Sequence, residues 1–143
     1  MPGPNIPDSN HVSRLCGVAR CDDDGRPRGT AFMLRPNEPY LSVNWLEQTG
    51  ASSREQQLAI VRKHLANKGM KLPEKGRLAM LHLQIVFDQV EMGTPDSRRL
   101  SAHHEPDQPH DPSHSGIYGY NAEDQLIADL MADAVHEHYA ARG

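Results

Sequence analysis

The chain has 143 residues, of which 37% are hydrophobic and 5% aromatic, with a formal net charge of −4. This length fits one domain that folds without a disulfide or metal staple, and with two Phe and one Trp its core must be mainly aliphatic. No apolar run reaches the roughly 18 to 20 residues that span a bilayer, and MPGPNIPDSN lacks both parts of a secretory signal, so the expected compartment is the cytoplasm, with no membrane partner.

Charge is unevenly distributed. Residues 1 to 72 carry ten Lys or Arg against seven Asp or Glu, a net +3, and residues 73 to 143 carry five against twelve, a net −7. Arg14, Arg20, Arg26, Arg28 and Arg35 make a basic N-terminal surface suited to an anionic partner.

Residues 1–10, with three prolines, read as a flexible arm, and 11–143 as a single α+β domain. HVSRLCGVAR reads as a strand, closed by a CDDDG turn. TAFMLR and YLSVNWLE read as two further strands, joined by the proline-bearing PNEP, with Trp45 as a core anchor. SSREQQLAIVRKHLANKG is a helix: Ser52 and Glu55 have capping-box spacing, Leu58, Val61 and Leu65 form an apolar stripe, and Gly69 stands at the C-terminal cap.

In RLAMLHLQIVFDQV the apolar residues Ala79, Leu81, Leu83, Ile85 and Phe87 share one parity, which predicts a long strand, with a helix as the alternative. RRLSAHH and SGIYGY read as short strands. From Asn121 a last helix is expected, with Leu126, Leu130 and Ala134 beside Ile127, Met131 and Val135 on its apolar face, and His136 and His138 in its final turn. The expected architecture is one mostly antiparallel sheet of about five to six strands with two helices packed on one face.

HHEPDQPHDPSHSG, residues 103 to 116, holds four of the nine histidines and three prolines. Pro106, Pro109 and Pro112 recur every third residue, the period of polyproline II. In that form His104, Asp107 and His110 are about 9 Å apart along one edge, too wide for imidazoles converging on one ion. A turn at Asp111-Pro112 would instead bring His110 and His114 together. Their H-x3-H spacing with the C-x4-C of Cys16 and Cys21, or with His104 and Asp107, is the zinc set the sequence allows; no cofactor is otherwise expected. If the two cysteines lie on one extended strand they are about 16 Å apart, and free thiols are expected. For acid and base work the candidates are His110 and His114, with Asp111 fixing a tautomer. His11-Val12-Ser13 resembles the H-x-[ST] element of the two-histidine phosphoesterases, and the second copy that family carries is not matched at His82-Leu83-Gln84 or His114-Ser115-Gly116.

The leading expectation is a small accessory protein that binds a protein partner or larger assembly through its N-terminal arginines and the 104–114 loop, with nucleic acid as the other anionic partner to consider. The alternative is a histidine-based hydrolase or phosphodiesterase, metal-dependent if zinc is held, acting on a nucleotide or nucleic acid with Arg14 or Arg35 on phosphate.

Overall fold

A computed structural model describes residues 1–143. The strands are β1 (His11–Cys16), β2 (Leu41–Trp45), β3 (Arg77–His82), β4 (Ser101–His104), β5 (His114–Tyr118) and β6 (Glu137–Ala140), and the helices α1 (Arg54–Asn67), α2 (Leu83–Gly93) and α3 (Gln125–Asp133). They form one six-stranded sheet in the order β4-β5-β2-β1-β3-β6. Every pairing is antiparallel. The class is the expected α+β, but there are three helices and they lie on both faces. Alternate residues of β3 show this: Leu78 and Met80 pack with Leu58, Val61 and Leu65 of α1, whereas Ala79 and Leu81 pack with Val86 and Phe87 of α2 and Ile127 and Met131 of α3. No helix is long and apolar enough to cross a membrane.

α1 forms where its periodicity places it, with the cap one residue later than predicted: Ser53 accepts from the Gln56 amide. Gly69 closes it with φ +85°. The expected long strand over residues 78 to 90 is corrected, because it turns into α2 at Leu83 without a loop. β3 stops pairing where His82 meets His11, the first residue of β1. Beyond that point no neighbouring strand remains, and Leu83, Val86, Phe87 and Val90 bury a helical stripe instead. The last helix ends at Asp133, so His138 lies not in a helical turn but in β6, on the sheet edge beside β3.

TAFMLR is not a strand. Gly29–Phe32 form a single 3-10 turn, and the carbonyls of Thr30, Ala31 and Phe32 accept from side chains, Arg20 Nη1, Arg14 Nε and Tyr120 Oη. The 105–113 segment is a folded hairpin rather than polyproline II, since Asp107 and Asp111 exchange backbone hydrogen bonds of 3.0 and 2.7 Å.

The N-terminal arm lies along β4 rather than free of the domain. Asn5 bridges His103, the Ile6 amide donates to Ala102 O, and the His104 amide donates to Pro4 O. Further on, Asp8 O and Asn10 O accept from the Gln84 and Leu83 amides, two of the donors that a helix start leaves unpaired. Ile6 is 2% exposed in the main core. Ile6→Ala should therefore cost about 2 to 4 kcal/mol of unfolding free energy in urea titrations, whereas an undocked arm would leave the midpoint unchanged.

Candidate functional site

The two central strands of the sheet separate along most of their length. β1 pairs with β3 over all six residues, and β2 pairs with β5 from Leu41 onward. Between β1 and β2 the register holds only Val12 with Trp45 and Ser13 with Asn44. Arg14 stands in the opened seam, donating through Nη1 to Ser42 O at 2.9 Å and through Nε to Ala31 O at 3.0 Å. Ser42, Asn44 and Leu15 belong to the sheet around a cleft of about 410 Å³, and Leu65 of α1 and Lys68, the residue that caps its C-terminus, form one wall.

Five cations line this cleft, Arg14, Arg20, Arg35, Lys68 and Lys71, against one carboxylate, Glu38. The Glu38 carboxylate is occupied in accepting the Arg35 amide. None of Arg14, Arg20, Arg35 or Lys71 has a carboxylate within ion-pair distance. Arg14 is the costly member: desolvation pulls its pKa below the ordinary guanidinium value, opposed by weaker attractions that include Glu38. A desolvated cation bonded only to neutral carbonyls gains strongly from an anion brought to its free nitrogen.

Lys68 is held from behind by a buried polar cluster. Asp111 and Ser113 are both 0% exposed. Asp111 Oδ1 accepts from Asn44 Nδ2 at 2.7 Å, and Oδ2 faces Lys68 Nζ at 2.6 Å as a charge contact outside hydrogen-bond geometry. Asn44 Nδ2 also reaches Ser113 Oγ at 2.9 Å. His64 Nδ1 lies 3.1 Å from Ser113 Oγ and 3.7 Å from Asp111 Oδ1. Serine and aspartate thus meet the same ring nitrogen, so the imidazole does not stand between them as it must in a nucleophile relay. The cluster's role is to fix Lys68 and to tie α1 to the loop before β5.

Of the arginines singled out in the sequence, Arg14, Arg20 and Arg35 share the cleft. Arg26 instead donates to Ala132 O behind α3, and Arg28 is exposed away from the cleft lining. The proposed grouping of His110, Asp111 and His114 is not formed: Asp111 turns inward to Lys68 and Asn44, and His110 is exposed. His114 Nδ1 donates to Glu105 O at 2.8 Å and His104 Nε2 to Pro112 O at 2.7 Å, since a carbonyl can only accept. In its neutral form His114 therefore keeps Nε2 as its acceptor, and the residue borders the cationic cleft.

Cys16 and Cys21 are free and buried. The Cys16 thiol points at Arg14 O, and burial, partly offset by Arg14, pushes its pKa up to about 12. Burial also raises Cys21. No three His, Cys, Asp or Glu side chains converge as metal ligands, so neither zinc set, with the cysteines or with His104 and Asp107, is assembled. His11 is the register partner of His82, with ring centroids 4.7 Å apart, and its Nδ1 lies 2.7 Å from Glu47 Oε2.

Lys68, Lys71, Asn44 and His64 were missed by sequence reasoning. Their only signal was the i, i+4 spacing of His64 on α1 and Lys68 at its C-terminal cap, which says nothing of the face it serves. No protein family, curated protein or solved structure matches this chain.

Removing Lys68 leaves the Asp111 carboxylate buried without its cation. Lys68→Met should lower stability by about 2 to 3 kcal/mol, discounted from a fully buried pair for Lys68's partial exposure, and Asp111→Asn in the same chain should restore part of it. Equal unfolding midpoints for Lys68→Met and the wild type would contradict the ion pair. Burial lowers the pKa of His64, and burial with Arg77 and Arg26 lowers that of His138, from an ordinary 6.5. Below that value the unfolded chain takes up protons before the folded one, so stability is complete above about pH 6.5 and falls as pH drops below it. Melting temperature should decline between about pH 7 and pH 5.5, and less steeply in His64→Gln.

Proposed function

We propose that the chain is a small cytoplasmic binding protein that captures a phosphate-bearing partner in the cleft between β1 and β2. The observation that carries this reading is the unpaired set Arg14, Arg20, Arg35 and Lys71 around a partly buried cavity. Guanidinium forks suit the paired oxygens of phosphate better than a lone acceptor. The enclosed position of Arg14 favours a group that penetrates the seam over one that rests on the surface. The 105–113 hairpin contributes by anchoring Lys68 through Asp111, and His114 by bordering the cleft.

A hydrolytic version of the same site is favoured by one observation, the free Nε2 of His114 beside these cations, which suits a proton acceptor. Under that version His114→Gln would abolish turnover of a phosphate ester while leaving its binding in place; unchanged turnover would remove it.

Inorganic pyrophosphate is the direct probe. Calorimetric titration at low ionic strength should give saturable binding that weakens as salt is added. Arg14→Met and Arg35→Met should each weaken it about 10- to 100-fold, the range of one charge-assisted hydrogen bond. Arg35 makes no side-chain hydrogen bond or ion pair, so its variant reports binding without disturbing the fold. Absence of binding at about millimolar pyrophosphate would refute the reading.

A further inference from the structure

The cationic cleft ends at His114, and a cavity of opposite character begins there. His114 lines both. Along β5 the side chains of His114 and Tyr118 point to the same face, with Gly116 between them. α1 packs on β3 and the loop after β2, and reaches β5 only at its start, through His64 and Ser113. Beyond that point Tyr40 lies on the strand. A Cβ on Gly116 would come within 2.4 Å of Tyr40 Cδ1, so the phenol ring rests directly on the strand backbone. His114 and Tyr118 flank it at ring separations of 5.9 and 5.0 Å.

With one face on Gly116, the half-buried ring borders the second cavity, about 560 Å³, beside His104, Glu105 and Asp107. Glu105 is fixed by the Tyr118 hydroxyl and the Gly3 amide. The Asp107 carboxylate makes no ion pair and accepts no hydrogen bond from a side chain. Burial first, then Glu105 and Asp107, raises the Tyr40 pKa, which keeps the phenol neutral. Two compartments thus adjoin at one imidazole, with unpaired cations on one side and, on the other, a supported aromatic ring with Glu105, Asp107 and the terminal residue Met1, whose ammonium acts on Glu105.

Resting on the phosphate-binding reading, we infer that the ligand is a nucleotide, free or as a unit of a single strand, with its phosphates in the cleft at Arg14 and Arg35 and its base stacked on Tyr40. Bases offer a flat π face to an aromatic platform, and those with exocyclic amino groups or ring N–H groups offer donors to Asp107. The ribose spans His114. The unpaired cations of the cleft, against the Asp107 carboxylate beside the base, set the direction of binding.

The test compares pyrophosphate, nucleoside diphosphates and a short 5′-phosphorylated single strand by calorimetry on the full chain. Nucleoside diphosphates should bind about tenfold or more tightly than pyrophosphate, the scale of one stacked base. Tyr40→Ala should erase that advantage without changing pyrophosphate affinity, and Tyr40→Phe should keep it. Gly116→Ala, which displaces the ring, should act like Tyr40→Ala. If the single strand binds more tightly than the free nucleotide, the base belongs to a strand; if less tightly, to a free nucleotide, and either accords with stacking. Equal wild-type affinity for pyrophosphate and nucleoside diphosphates overturns the stacking site while phosphate binding stands, as does an equal loss of both in Tyr40→Ala. If neither ligand binds, phosphate binding fails and the stacking site fails with it.

Discussion

A sheet can open at its centre only if the backbone groups along the parted strands find partners elsewhere, because a buried unpaired carbonyl costs free energy comparable to a lost hydrogen bond. Here the partner is Arg14. Its Nη1 takes the Ser42 carbonyl on the β2 side of the seam, and its Nε takes Ala31 O in the turn that fills the gap. One guanidinium thereby substitutes for strand pairing and brings a positive charge into the resulting space. The cleft, its charge and the irregular path of residues 29 to 35 all follow from this arrangement. Tyr120 and Arg20 complete it by taking the neighbouring carbonyls of Phe32 and Thr30.

The opposite wall depends on a second buried charge. Asp111 is enclosed under the C-terminal end of α1, where Lys68 offsets its charge and Asn44 satisfies one oxygen. Such a pair adds little net stability compared with an apolar substitute, but it penalises other arrangements severely. Asn44 stands on β2, Asp111 in the hairpin and Lys68 at the C-terminal cap of α1, so the three fix one another's positions across segments distant in sequence. The helix end, the hairpin and the floor of the cleft are in this way held in a single geometry.

How much of this was legible depended on whether the deciding partner was local. α1 was readable because its stripe lies within it and Gly69 just beyond its end, although the capping serine is Ser53 and not the expected Ser52. The passage from β3 to α2 was not, because Ala79, Leu81 and Leu83 fit a period of two while Leu83, Val86, Phe87 and Val90 fit a helix, and Leu83 serves both. The choice is made by β1 beginning only at His11, the partner of His82 and far away in the chain. TAFMLR reads as a strand because its acceptors belong to Arg14, Arg20 and Tyr120, which no local pattern announces. The arginines were recognisable as a basic group, but Arg14 and Arg28 differ only in where the fold sends them. The histidine-rich loop drew attention by composition, yet His103, His104 and His114 each make a ring hydrogen bond to a backbone carbonyl. They build the edge of the site more than its chemistry.

The charge imbalance of the sequence acquires a spatial meaning through His114. Every cation of the cleft, from Arg14 to Lys71, comes from the basic first half of the chain, and the carboxylates beyond His114, Glu105 and Asp107, come from the acidic second half. A uniformly basic surface would attract anions without orienting them. Where β5 brings the two halves together, the cationic lining and the carboxylates meet at one imidazole, His114, which borders both cavities. That juxtaposition comes from pairing β2 with β5 and parting it from β1, so the sheet register sets which side chains share the two cavities.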